Sequence, residues 1–210
     1  MSNEAISASP NSTLENLTVI TGGARSGKSL FAEQLAHNSG KPVSYLATMP
    51  RLPDDAELEF KVEMHRARRP SSWSTIESEL SIHKALETLP AGPGVCVIDC
   101  LSLYVSNMML DSLKDADVSI SPELLRALDQ RVSEAIRMLA ETVQSRPDWN
   151  FIVVTNEVGW SVVPDNKMAR IYKDLLGFAN QTLATKAFTV YLACVGLRIK
   201  LKENGVGKLE

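Results

Sequence analysis

Short apolar runs alternate along the chain with longer stretches in which apolar residues recur every three or four positions. The runs are Leu17–Thr21, Val43–Ala47, Gly94–Asp99, Phe151–Thr155 and Phe188–Ala193. None keeps a strict apolar–polar alternation, which is the pattern of strands covered on both faces in a mainly parallel sheet. Helical spacing is clearest over Glu123–Gln144 and Asn166–Lys186. In the second, Met168, Ile171, Leu175, Phe178 and Leu183 fall on one side, and Asp165, after Pro164, is placed to cap it. A further helical face is read from Leu30, Ala32, Leu35 and Ala36, and another helix from Leu101–Leu110. Strands alternating with helices predict a single α/β domain, a mainly parallel sheet flanked by helices, with ligands at the carboxyl ends of the strands. The expected limits are a polar, disordered tail over 1–16, the domain over 17–202 and a loose tail over 203–210.

Composition narrows this little. At 210 residues, 44% hydrophobic and 22% charged, the chain suits one substantial globular domain. A net charge of −3 and few aromatics speak against nucleic acid or an anionic membrane as the main partner. No apolar run approaches the roughly 20 residues of a membrane span, and the first sixteen residues lack the apolar centre of a signal peptide. Three cysteines, Cys96, Cys100 and Cys194, make no disulfide framework and no metal spacing. They read as small buried hydrophobes of a reducing compartment, so the expected location is cytoplasmic.

The candidate chemistry begins where the first strand ends. Gly22–Ser29, GGARSGKS, has the form G-x-x-x-x-G-K-S, between a strand and an apolar helical face. Glycines let the backbone curl around an anion with its N–H groups inward. Lys28 is placed to reach the terminal phosphates, Ser29 to offer a hydroxyl to Mg²⁺, and the helix start adds the positive end of its dipole. This makes the domain P-loop NTPase-like and the ligand a nucleoside triphosphate. Asp99, ending an apolar strand, stands where such enzymes keep the carboxylate for Mg²⁺ or its waters. The lesser alternative is a cap for the helix that follows.

A second cluster follows. Asp54 or Asp55 starts a helix that Pro70 ends, and its far end carries His65, Arg66, Arg68 and Arg69. Guanidinium groups match phosphate oxygens in pairs. Two readings stand side by side: a solvated basic helix end, favoured by the helix dipole, or a phosphate site in which His65 acts as a nucleophile. The arginine charges would keep its imidazole unprotonated and stabilise charge developing on phosphorus. His37 and His83 have no such setting.

With these residues the chain resembles the bifunctional adenosylcobinamide kinase/adenosylcobinamide-phosphate guanylyltransferase family of cobalamin biosynthesis. The blocks are GGARSGKS, YLAT (Tyr45–Thr48), HRARRPSSWSTIE (His65–Glu77), VIDCLSLYVSN (Val97–Asn107), TNEVGWSVVPDNKMAR (Thr155–Arg170) and DLLGFANQTLA (Asp174–Ala184). They stand in family order from about Leu17 to Lys202. Ser161, where the family often has glycine, and the polar N-terminal tail are departures. The resemblance implies phosphorylation of adenosylcobinamide by GTP or ATP. GMP transfer from GTP through a guanylylated His65 would then give adenosylcobinamide-GDP. It places nucleotide contacts on Gly22, Gly23, Ala24, Arg25, Ser26, Gly27, Lys28 and Ser29. Further contacts fall on Ala47, Thr48 and Met49, on Arg66, Ala67, Arg68 and Arg69, and on Glu77 and Asp99, with Mg²⁺ at Ser29 and Asp99. It also implies a homo-oligomer, a trimer. Glu157 and Asn156 remain open between a corrinoid contact and structural hydrogen bonds. Two rivals are weighed: a kinase alone, with the arginines as a phosphate clamp, and a regulatory GTP switch. The switch is disfavoured because Asn166–Ala169 reads NKMA and lacks the aspartate of an N-K-x-D guanine reader.

Overall fold

The structure, a computed structural model, describes residues 13–50, 60, 63, 64, 66–114 and 120–207. In chain order the elements are β1 (Leu14–Gly22), α1 (Lys28–Asn38), β2 (Val43–Ala47), β3 (Ser74–Glu77), α2 (Ile82–Glu87), β4 (Gly94–Asp99) and α3 (Leu101–Leu113). Then come α4 (Pro122–Ser145), β5 (Trp149–Val154), α5 (Lys167–Lys186), β6 (Ala187–Cys194), β7 (Leu197–Glu203) and β8 (Val206–Gly207). The strands form one sheet in the order β3-β2-β4-β5-β1-β6-β7-β8. Its first six strands run parallel and the last two antiparallel. This is the P-loop NTPase-like α/β domain expected from the pattern.

The apolar runs divide their side chains between two cores, as the two-residue period of a strand requires. Leu17, Val19, Cys96, Ile98, Phe151 and Val153 meet α3, α4 and α5 on one face. Ile20, Tyr45, Val97, Ile152 and Val154 meet α1 on the other, against Phe31, Ala32 and Ala36. Parallel register sets Val19 beside both Val153 and Val190, so the central strands are walled in on every side. Long helix α4 starts at Pro122, and Ser121 caps it by accepting a hydrogen bond from the Leu124 amide at 3.3 Å. Among the described residues, no helix is long and apolar enough to cross a membrane.

Several expectations need correction. β1 begins at Leu14, not Leu17: Leu14 is in the core, and Asn16 donates to the carbonyls of Val143, Arg146 and Trp149 at 2.9–3.0 Å. A polar residue read as tail therefore ties β1 to the end of α4. At the other end Glu203 closes β7 and Val206–Gly207 form β8, where a loose tail was expected. The short strand β3 and the β7–β8 hairpin lacked an apolar run and were not anticipated. α5 is capped by Asn166, which accepts from the Ala169 amide at 3.1 Å, rather than by Asp165. Phe178 and Leu30 face outward, and the buried faces are Leu175, Leu176, Ala179 and Leu183 on α5 and Phe31, Ala32 and Ala36 on α1. Cys96 and Cys100 are buried, but Cys194, at the end of β6, is exposed.

Candidate active site

β1 ends against the loop because Gly22 can approach its neighbour as no other residue can. Its φ is 151°, and a Cβ there would lie 2.1 Å from the carbonyl oxygen of Ala193 on β6. The loop then turns through Arg25 and Gly27, at φ 56° and 92°. Gly27 is the residue ahead of α1, and its carbonyl receives the Phe31 amide at 3.0 Å. Backbone bonds hold the loop in place: the Glu157 amide to Gly22 O at 2.9 Å and the Gly196 amide to Ser26 O at 3.1 Å. Gly23, Ala24 and Arg25 are exposed, Ser26 is buried and Ser29 is half-buried.

Lys28 is buried, and its Nζ donates to the carbonyl of Gly23 at 2.6 Å and to Ser26 Oγ at 3.4 Å. The ammonium thus lies across the mouth of its own loop. Burial lowers its pKa, with Cys100 and Asp99 pulling the other way. A cation with left-handed backbone and a helix N-terminus around it makes an anion cradle.

Asp99 closes β4 beside this cradle. Its Oδ2 accepts the Tyr45 hydroxyl at 2.6 Å, and its backbone carbonyl accepts the Thr48 amide at 3.2 Å. Asp99 does not cap α3: the residue ahead of that helix is Cys100, and no side-chain hydrogen bond caps it. Burial, then the Asp99 charge, raises the Tyr45 pKa well above its usual value, so Tyr45 remains a donor. Thr48 is fully buried, with Oγ1 bonded at 2.8 Å to both the carbonyl and the amide of Cys100. That hydroxyl joins the ends of β2 and β4 and is committed to the scaffold. Ala47 and Met49, on either side, are half-buried. Asn107 on α3, not singled out from sequence, donates to Thr48 O at 2.8 Å and fixes the same corner.

His65 lies outside the described residues. Phe60, Glu63, Met64, Arg66 and Ala67 are helical, and the chain turns at Arg69, whose amide donates to Arg66 O at 3.1 Å. The arginines reach three elements. Arg66 pairs with Glu77 at the end of β3. Arg68 Nη2 stands 3.6 Å from Glu33 Oε1 on α1, and the Arg69 guanidinium lies 3.9 Å over the Tyr45 ring. Ala67 is exposed. Glu33 and Tyr45 were missed in the sequence. The available signal was an acidic residue inside the apolar face Phe31–Ala36, since such a side chain is rarely buried without a partner. Burial raises the Glu33 pKa, with the Arg68 charge acting against it.

The structure therefore brings the phosphate loop, Asp99, the Ala47–Met49 corner, the arginine run and Glu77 to the carboxyl ends of β1–β4. Glu157 and Asn156, at the end of β5, make structural bonds: Glu157 Oε1 accepts the Gly159 amide at 2.6 Å and Asn156 O accepts Asn180 Nδ2 at 3.0 Å.

Residues 18–201 match the family model described as cobinamide kinase / cobinamide phosphate guanyltransferase. A bifunctional adenosylcobalamin biosynthesis protein of Escherichia coli is 34% identical over 89% of this chain and 99% of its own length. Its counterpart in Pseudomonas aeruginosa is 34% identical over 88% of this chain and 96% of its own. In fold, the chain is similar to a solved ATPase of a bacterial type III secretion system, with a TM-score of 0.50 at 13% identity. That likeness covers 88% of this chain and 56% of the ATPase.

Proposed function

The chain belongs to the cobinamide kinase / cobinamide phosphate guanyltransferase family, and from that premise we propose that it catalyses two successive transfers. In the first, GTP or ATP phosphorylates the aminopropanol hydroxyl of adenosylcobinamide. In the second, GTP guanylylates His65, and the GMP passes to adenosylcobinamide phosphate to give adenosylcobinamide-GDP. A neutral imidazole nitrogen attacks the α-phosphorus and pyrophosphate leaves. A phosphate oxygen of the acceptor then attacks the same phosphorus and the histidine is released. Passing through the imidazole avoids a direct attack of one phosphate anion on another.

The residues divide the work. The backbone of Gly22–Ser29 and Lys28 hold the triphosphate, with the ammonium leaving Gly23 O and Ser26 Oγ for phosphate oxygens. Arg66, Arg68 and Arg69 stabilise charge on the transferring group. Asp99 and Ser29 offer the oxygen donors that Mg²⁺ takes, and a carboxylate placed among buried side chains beside a lysine suits such an ion. Bound there, Mg²⁺ would neutralise charge on the phosphates. Thr48 and Asn107 keep the Ala47–Met49 corner rigid beneath the nucleotide.

One observation carries this reading. The run that follows His65 in sequence is held by Arg68 against α1, the helix that starts in the phosphate loop, and by Arg69 against Tyr45 of β2, whose hydroxyl bonds Asp99. To test it, the protein is incubated with α-labelled GTP and Mg²⁺. The wild type should carry acid-labile label and His65→Ala none. An unlabelled wild type rejects the covalent step and leaves a kinase alone; a labelled His65→Ala rejects His65 as its site.

A further inference from the structure

Glu33 stands out as a charge in an apolar place. It lies on α1 between Phe31, Ala32 and Ala36, is 7% exposed, and its Oε1 accepts no hydrogen bond. A buried carboxylate loses its hydration, and a hydrophobic side chain of similar volume is commonly as stable or more so. Stability alone therefore does not explain a glutamate here. The cation it meets is Arg68, at 3.6 Å, on the run that follows His65. Glu33 is five residues beyond Lys28, about 7.5 Å along the same rigid helix. An anchor at Glu33 thus fixes Arg68 relative to the phosphate loop itself.

Tyr45 does the same from the next strand. Its ring carries the Arg69 guanidinium at 3.9 Å, and its hydroxyl donates to Asp99 at 2.6 Å. One side chain thereby touches both the arginine run and the carboxylate beside Lys28. We propose that Glu33 and Tyr45 are positioning residues that dock the arginine run onto α1 and β2, beside the phosphate loop. Their catalytic consequence rests on the nucleotidyl-transfer reading above; the docking itself does not. Cations kept within reach of the loop lower the cost of gathering them around the transferring group.

The test uses the full chain and two readouts. Hydrogen exchange follows the amides of residues 66–73, where Arg69 N is bonded to Arg66 O and Trp73 N to Pro70 O. Glu33→Gln keeps the shape and removes the charge; it should speed exchange in this stretch about tenfold while α1 and β2 stay protected. Tyr45→Leu should do the same. Tyr45→Phe, which keeps the ring beneath Arg69, should leave exchange close to wild type, a split that a role carried by the hydroxyl alone would not produce. With α-labelled GTP, Glu33→Gln should slow labelling at saturating nucleotide by about tenfold and shift half-saturation less than about threefold. Wild-type exchange in both Glu33→Gln and Tyr45→Leu overturns the proposal, as does equal opening in Tyr45→Phe and Tyr45→Leu. If the wild type takes no label, the histidine reading fails by itself, and the exchange pattern still decides the docking.

Discussion

The phosphate loop and the arginine run are both built to receive anions, yet different forces hold them. The loop is fixed by its backbone: left-handed residues, a glycine pressed against β6 and amides bonded from two neighbouring segments. Its lysine, Lys28, is buried and bonded to loop atoms. The arginine run is fixed by side chains reaching outward to Glu77, Glu33 and Tyr45. Its guanidinium groups are partly exposed, at 48% for Arg66 and 42% for Arg68. The first site comes with the fold. The second is assembled from parts of three elements, and its contacts are the kind that solvent weakens. A site held by backbone suits gripping a ligand; a site held by side chains suits following one through a transfer.

The largest effect should come from the loop's buried lysine. Lys28→Ala removes the ammonium from a buried, preorganised cradle, where one donor is worth about a thousandfold in turnover. Steady-state turnover of the triphosphate measures it. Near-normal rates would mean that the arginines, not the loop, carry the charge stabilisation. The next effect is on stability. Gly22→Ala forces a Cβ to 2.1 Å from Ala193 O at a φ of 151°, so either β1 or β6 must move. That should lower unfolding free energy by about 3 kcal/mol, read from the urea midpoint. An unchanged midpoint would show that the loop yields easily and that its geometry is not set by the sheet.

The same contrast explains what the sequence disclosed. A backbone-built site is written in consecutive residues, so GGARSGKS announced the loop, its strand and its helix together. Asp99 was legible because it ends an apolar run. Side-chain anchors are different: Glu33, Tyr45 and Asn107 meet partners 24 to 59 positions away in the chain, and no local spacing marks them. Arg66, Arg68 and Arg69 were visible as a charge run, but which carboxylate or ring each would meet depended on tertiary packing. The fold shows the same limit. Buried parallel strands declared themselves by apolar content, whereas β3 and the β7–β8 hairpin, exposed along much of their length, had no such signal. Asn16 was read as tail because three carbonyls of distant residues, not its neighbours, give it a place.

The smallest effect belongs to the outermost contact of the arginine run. Arg66 and Glu77 form an ion pair with both side chains partly in water. Such pairs gain little because water already solvates both charges and holding two long side chains together loses rotamer freedom. Glu77→Gln should therefore lower unfolding free energy, measured without nucleotide, by less than about 1 kcal/mol. That loss should shrink further in roughly 1 M salt, where the screening length falls to about 3 Å. A loss above about 2 kcal/mol that persisted in salt would mean Glu77 anchors the run as firmly as the sheet anchors the loop. The two sites would then differ in composition but not in rigidity, and the division between a gripping site and a following one would fall.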